Sequence, residues 1–431
     1  MTVDIGSEIG VLETIVTSPP GSEFDWMLPE NLHPTRVGPA GPEPNPDYLL
    51  FDDLVLLRQL KKEHQKLTSI LESVTSARRH ITFRELVKTT LLADKARDHA
   101  IESALEVEER FYVSDRHELS DRAARLRSLD SVHLAEVLIT GRDRFTGEPV
   151  LRWPAPNAIF ARDLMAGVGN SLVLSWARKP ARMREMVLSR LVATYHPLFE
   201  NSPTIDIRKP GEINDEIAIE GGDILVLSEK IVVVGTGSRT TVKAAERLAE
   251  ALFDRGVEAV LIVEIPDGRS AMHIDTLATR IDDEQMLIFP PLVLDPKGYG
   301  MAVHTLLSDG SRRQGFDFLA ALKSVGLELE PVFCGGLDPV AQRREQWSDG
   351  ANAFALAPGV IVAYARNEHT LSELGRRGYK IVQPETFIEN ASFFVGGENK
   401  VVVALKGSEL VRGRGGPRCL TLPLARRTTT S

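Results

Sequence analysis

Four short polar clusters carry the residue types that catalysis uses: Asn157 to Asp163, Glu220-Gly-Gly-Asp223, His273-Ile-Asp275 and Gly413-Arg-Gly-Gly-Pro-Arg-Cys419. The last is the most informative. A glycine-rich loop lets backbone amides approach a ligand. Two arginines beside a thiol should lower its pKa and raise the share of thiolate, the nucleophilic form. Its bland alternative is a basic surface tail with an incidental cysteine. Glu220-Gly-Gly-Asp223 serves equally well as a turn leading into a strand, because Gly-Gly suits turns. His273 and Asp275, two apart, would share one face of a strand, as such pairs do in many proteins that use neither. Cys334 follows Pro331-Val-Phe333 and precedes Gly335-Gly336, and it reads as a buried small residue.

Other chemistries fail on spacing. Gly235-Thr-Gly237-Ser-Arg-Thr240 follows a strand pattern and opens a helix, but threonine stands where a dinucleotide fingerprint needs its third glycine. No paired-cysteine zinc spacing and no His-Glu-x-x-His motif occurs, so neither a metal nor an organic cofactor is expected. A net charge of -9 without a dense Lys/Arg run speaks against nucleic acid, whose phosphates need a basic face. No run of apolar residues is long enough to span a membrane, and the acidic N-terminal segment lacks the pattern of a signal peptide. Two cysteines in 431 residues are too few for a disulfide framework and point to a reducing cytoplasm.

These clusters must be positioned by regular elements. From Asp223 the pattern predicts strands at 223–227 and 231–234, a helix from Thr240 to Asp254 with Ala244, Leu248, Ala251 and Leu252 on one face, and a strand at 259–263. The same ββαβ order returns at 352–356, 360–364, 370–378 and 380–383, with Pro358-Gly359 as the turn. A weaker third copy is expected from strands at 12–17 and 52–57 and a helix at 60–74. Recurrence of one unit predicts a circular array of ββαβ modules rather than an open doubly wound sheet. Residues 75–146 have a different texture, with long helical patterns at 93–110 and 121–139, and read as an inserted helical subdomain. The catalytic α/β domain would then comprise 1–74 and 147–431.

Taken jointly and in this order, the clusters resemble those of the arginine deiminase family. The resemblance runs over nearly the whole chain and includes Ser7-Glu-Ile-Gly10, Leu49 to Asp53, Pro156-Asn-x-x-Phe-Ala-Arg-Asp163, Arg182-Met-Arg-Glu185 and Glu220-Gly-Gly-Asp223. It continues through Gly237-Ser-Arg-Thr240, His273-Ile-Asp275, Glu345-Gln-Trp-Ser-Asp-Gly350, Pro358-Gly359 and Gly413 to Cys419. It implies a five-bladed α/β propeller, the pentein fold, with an inserted helical bundle. It also implies a catalytic set in which Cys419 attacks a guanidinium carbon, Asp163 and Asp275 grip the guanidinium nitrogens, His273 is the general acid and base, and Glu220 supports His273. Arg182 and Arg239 would hold the substrate carboxylate, with Asn157, Gly413 and Arg414 around the amino-acid end. Paired carboxylates in fork geometry suit a planar cation with several N–H donors.

The activity so implied is hydrolysis of L-arginine to L-citrulline and ammonia, by a homo-oligomer that needs no nucleic acid or membrane partner. Amidino transfer, a modified guanidino substrate and an inactive arginine-binding protein stand as alternatives. The chain departs from the family pattern at Ala161, where threonine is usual, at Leu420 for methionine, at Ala365 for aspartate, and at Thr17-Ser-Pro-Pro-Gly21 in place of an early His-x-Pro-Gly. None of these removes a proposed catalytic group. They bear on substrate choice.

Overall fold

The ββαβ unit expected from Asp223 forms as strands Ile224–Ser228 and Ile231–Thr236, helix Val242–Phe253 and strand Ala259–Glu264. Valine and isoleucine fill its two central strands because both faces are covered, and a continuous β-branched run suits such a strand. The Thr241 side chain accepts from the Ala244 amide and starts the helix. Ala244, Leu248 and Leu252 then bury one stripe against the sheet, whereas Ala251 is only half-buried. Two further strands, Val303–Leu307 and Arg312–Gly315, extend this sheet to five.

These elements come from a computed structural model, which describes residues 2–38, 41–75, 79–209, 216–295, 301–397 and 399–427.

The second expected unit is also present, as Phe354–Ala357, Val360–Tyr364, helix Glu368–Arg376 and Lys380–Val382. Here the reading missed a strand. Val401–Leu405 inserts between Val360–Tyr364 and Lys380–Val382, parallel to both. The third unit differs more. Val11–Thr17 is a strand, but 52–56 is not, and helix Leu57–Thr75 begins directly after it. Asp52 and Asp53 instead pair with Arg269 and Arg412 at the surface. The neighbour of Val11–Thr17 is Thr421–Arg427, antiparallel with Val11 opposite Arg427, and His80–Thr82 lies parallel on the other side. No local pattern announces a partner so far along the chain.

Met165–Val168, Ser171–Leu174 and Thr204–Ile205 form another sheet, and Ala278–Arg280, Gln285–Ile288 and Glu330–Phe333 another. Apart from the small hairpin Thr35–Gly38/Gly41–Pro44, the described residues therefore hold five sheets. That number agrees with the five modules implied by the resemblance. Helices Phe83–Thr90, Asp94–Phe111, Arg116–Ser128 and Ser131–Thr140 share a core with helix Pro180–Tyr195 and the sheet at Met165. The single helical pattern read at 121–139 is two helices, because the Asp130 side chain accepts from the His133 amide and caps a new one.

The modules position the polar clusters in one recurring way. Asp163 lies in the turn before strand Met165–Val168, and Glu220 just before Ile224–Ser228. His273 and Asp275 precede Ala278–Arg280, and Cys419 precedes Thr421–Arg427. Four sheets thus each bring chemistry from the segment leading into one strand. The fifth brings Asp349 and Asn352, just before Phe354–Ala357.

Candidate active site

Ten of the residues expected from sequence converge as follows. Asn157, Asp163, Arg182, Arg239, His273, Gly413, Arg414 and Cys419 line one narrow pocket, while Glu220 and Asp275 lie directly behind it, both 0% exposed. Glu220 Oε2 is 3.0 Å from His273 Nε2. His273 Nδ1 is 3.8 Å from Asp163 Oδ1, and Asp275 Oδ2 is 3.7 Å from Cys419 Sγ. Histidine, thiol and carboxylates thus gather at one narrow pocket.

Glycine is required here by close approach. A Cβ on Gly222 would stand 2.7 Å from both Asp163 Oδ1 and His273 Nδ1, so the Glu220-Gly-Gly-Asp223 run is the wall against which these groups pack, beyond any turn role. The Asp223 carboxylate completes the support: its Oδ1 accepts from the Ile274 amide at 3.0 Å, between His273 and Asp275.

The electrostatics fix the resting protonation states. Burial disfavours a charged His273, but Asp163, Asp223 and Glu220 outweigh it and hold the ring up to about 9. The resting imidazole is therefore an imidazolium at neutral pH. Burial likewise works against the Glu220 carboxylate, yet Arg182, Arg239 and His273 hold it well below the usual range. The Cys419 thiol goes the other way: burial first, then Asp275, Asp163 and Asp349, push it well above its ordinary value. This corrects the expectation that Arg414 and Arg418 activate it. Arg418 spends its charge on Asp275, Nη1 to Oδ2 at 2.7 Å, and on Glu8. Arg414 lies 3.8 Å over the Trp347 ring and donates to the Trp347 and Arg269 carbonyls. Neither arginine outweighs burial and the three carboxylates at the sulfur.

Arg182 is more deeply engaged than a carboxylate clamp needs to be. Its Nη1 is 2.7 Å from both Asp163 Oδ2 and Glu220 Oε2, its Nε is 3.2 Å from Glu185, and its Nη2 donates to the Asn157 carbonyl. Arg239 is freer, with Nη1 3.5 Å from Glu220 and Nη2 3.6 Å from the Met272 sulfur. Donor atoms of Asp163, Glu220 and His273 lie within 4.8 Å of one another, close enough to share a metal ion. The Arg182 guanidinium already stands between the two carboxylates as their cation. Asn157 donates to the Leu49 carbonyl at 2.9 Å, Gly413 ends a short helix, and Arg414 has a left-handed φ of 67°.

Sequence reasoning missed Asn352, whose Nδ2 donates to Cys419 Sγ at 3.3 Å while its Oδ1 accepts from the Arg418 amide at 3.0 Å. The recurrence of polar residues before a module's strand would have found it. It also missed Arg269 and Leu50 at the pocket rim, where Arg269 Nε pairs with Asp52 at 2.9 Å and Leu50 has a φ of 67°. Nothing in the residue types around either announces that role. Asp163 Oδ1 and Asp275 Oδ1 are buried and have no hydrogen-bond partner among the described residues, and the same holds for Glu185 Oε1, Asp223 Oδ2 and Asp349 Oδ2 around them.

Residues 47–426 match the family model described as arginine deiminase. The arginine deiminase of Listeria monocytogenes is 32% identical over 446 aligned residues, covering 98% of each chain. That of Bacillus cereus is 32% identical, covering 99% of this chain and 98% of the relative. Among solved structures, an amidinotransferase of Microseira wollei from the saxitoxin pathway superposes with a TM-score of 0.52 over 99% of this chain and 98% of its own, at 12% identity. That last likeness is one of fold.

Proposed function

The chain belongs to the arginine deiminase family, and from that premise we propose that it hydrolyses L-arginine to L-citrulline and ammonia through an amidino intermediate on Cys419. The observation that carries this is a thiol set among buried carboxylates, with Asp275 Oδ2 3.7 Å from Cys419 Sγ and with Asp163 Oδ1 and Asp275 Oδ1 lacking a hydrogen-bond partner among the described residues. A buried carboxylate oxygen without a donor costs about 1–3 kcal/mol or more, and a guanidinium supplies N–H donors and positive charge together.

The same cation solves the thiol's problem. With the pocket empty, two carboxylates and burial keep Cys419 protonated. A guanidinium between Asp163 and Asp275 cancels their field, the thiol gives its proton up to solvent as the substrate enters, and the thiolate attacks the guanidinium carbon at short range. The tetrahedral adduct expels ammonia as the His273 imidazolium gives its proton to the departing nitrogen. The now neutral His273 takes a proton from water, which attacks the thiouronium carbon, and collapse releases citrulline as the departing sulfur takes up the adduct's hydroxyl proton and the resting thiol returns. Glu220 keeps the ring oriented through both transfers.

Arg239, Asn157, Gly413 and Arg414 are assigned to the amino-acid end. Arg182 joins them once it releases one of its present partners. On the same reading the enzyme works in a reducing cytoplasm, where Cys334 and Cys419 stay unpaired, as an assembly of identical chains, with residues 75–146 as its helical subdomain. Among the described residues no helix is long and apolar enough to cross a membrane.

The test is incubation of purified protein with L-arginine and with agmatine, reading ureido product and ammonia. L-arginine yields citrulline, Cys419→Ala gives none, and Cys334→Ala remains active because Cys334 is fully buried, away from the pocket. Absence of ureido product from any guanidino compound would sink the hydrolase reading.

A further inference from the structure

Two residues that sit next to catalytic groups in sequence face away from them. Arg162 precedes Asp163 and Arg418 precedes Cys419, and with Arg426 they gather around Glu8 on the far side of the site. Glu8, Arg162 and Arg426 line a second enclosed cavity whose remaining walls include Ile5, Ile224 and Val226. Each of the four charged side chains is at least nine-tenths buried.

The charges there do not balance. Both Glu8 oxygens are engaged by Arg418, which also holds Asp275 on its other arm, Nη1 to Oδ2 at 2.7 Å. The Arg162 side chain is left with a single hydrogen bond among the described residues, Nε to the Arg418 carbonyl at 3.4 Å. Arg426 donates to the Gly10 and Ala355 carbonyls at 2.7 and 2.8 Å, and its buried Nε has no partner. Three guanidinium groups thus face two carboxylates, and the two arginines that line the cavity are the two without a carboxylate hydrogen bond of their own. Burial and the neighbouring Arg418 push Arg162 down to about 9, and burial does the same to Arg426 despite Glu8. A buried cation without a counter-charge is costly.

We propose that this cavity binds a small monovalent inorganic anion of chloride size, held between Arg162 and Arg426. One negative charge closes the deficit. The small space leaves no room for a larger anion, the Glu8 carboxylate on its wall opposes a second negative charge, and the site is separate from the guanidinium pocket in every lining residue.

The anion binds the folded chain and not the unfolded one, so it stabilises by mass action. Protein dialysed into sodium gluconate and moved into sodium chloride or bromide at constant ionic strength should gain roughly 2 °C in melting temperature, and Arg162→Met should lose that gain. Crystals grown in sodium bromide should show an anomalous peak between Arg162 and Arg426. No peak in the cavity overturns the proposal, even if the variant fails to fold. A peak with no halide effect on melting means occupancy at crystal concentration only, and also overturns it. So does a halide effect that Arg162→Met retains and L-arginine abolishes, which would locate the anion at the active-site arginines.

Discussion

Asp275→Asn should make the nucleophile more reactive and the enzyme less active. Asp275 Oδ2 lies 3.7 Å from Cys419 Sγ. At an effective dielectric of about 20, a unit negative charge at that distance opposes a thiolate by about 4 kcal/mol, or roughly three pKa units. Arg418, 2.7 Å from the same oxygen, offsets part of this, so a fall of about two units in the thiol pKa of the empty enzyme is expected. Asparagine keeps the shape. The assay is the rate of alkylation of Cys419 by iodoacetamide against pH, with mass spectrometry confirming the modified residue. Near neutral pH the variant should react about 100-fold faster than the parent, which follows from two pKa units. Its kcat/KM for L-arginine should fall by about 100-fold or more, because one carboxylate of the guanidinium grip is gone. An alkylation profile that stays in place or moves to higher pH would refute the electrostatic account of the resting thiol.

The other predictions concern the walls and partners of the site. Gly222→Ala forces a methyl to 2.7 Å from Asp163 Oδ1 and His273 Nδ1 and should cut kcat by about 100-fold or more, with circular dichroism unchanged. His273 is held up to about 9 in the fold against 6.5 unfolded. Its contribution, on the order of 3 kcal/mol, is therefore complete below pH 6.5 and lost as pH rises through about 9. Urea midpoints should decline over that window, and His273→Gln should flatten the decline. Arg239→Ala should raise KM for L-arginine about tenfold or more while sparing agmatine. Arg182→Ala should damage both substrates, since it removes the partner of Asp163, Glu185 and Glu220; equal selectivity in the two variants would merge their roles.

The residues that converge at the candidate site were legible because their types are rare in combination and fall at module boundaries. Strand Ile231–Thr236 and helix Val242–Phe253 were legible for a different reason: periodicity is local, and the sequence between turns states it directly. Pairing over distance is not local. Nothing in Val11–Thr17 names Thr421–Arg427 as its neighbour, and of the strand-like residues at 52–57 the first five proved to be a loop tied to Arg269 and Arg412 through Asp52 and Asp53, while Leu57 opens a helix. Asn352 escaped notice because a single asparagine carries no signal until the third dimension puts it on the sulfur. The charge state of Cys419 was misread for the same reason, since arginines adjacent in sequence point elsewhere.

The pairing of Val11–Thr17 with Thr421–Arg427 has a consequence during synthesis. A nascent chain still tethered to the ribosome can complete its helices and central sheets in order of translation, but its first strand waits for a partner made hundreds of residues later. Cys419, the proposed nucleophile, sits just ahead of that late strand. On the proposed mechanism catalysis waits until Thr421–Arg427 has been made and docked, and removing that strand should cost the staple and the activity together.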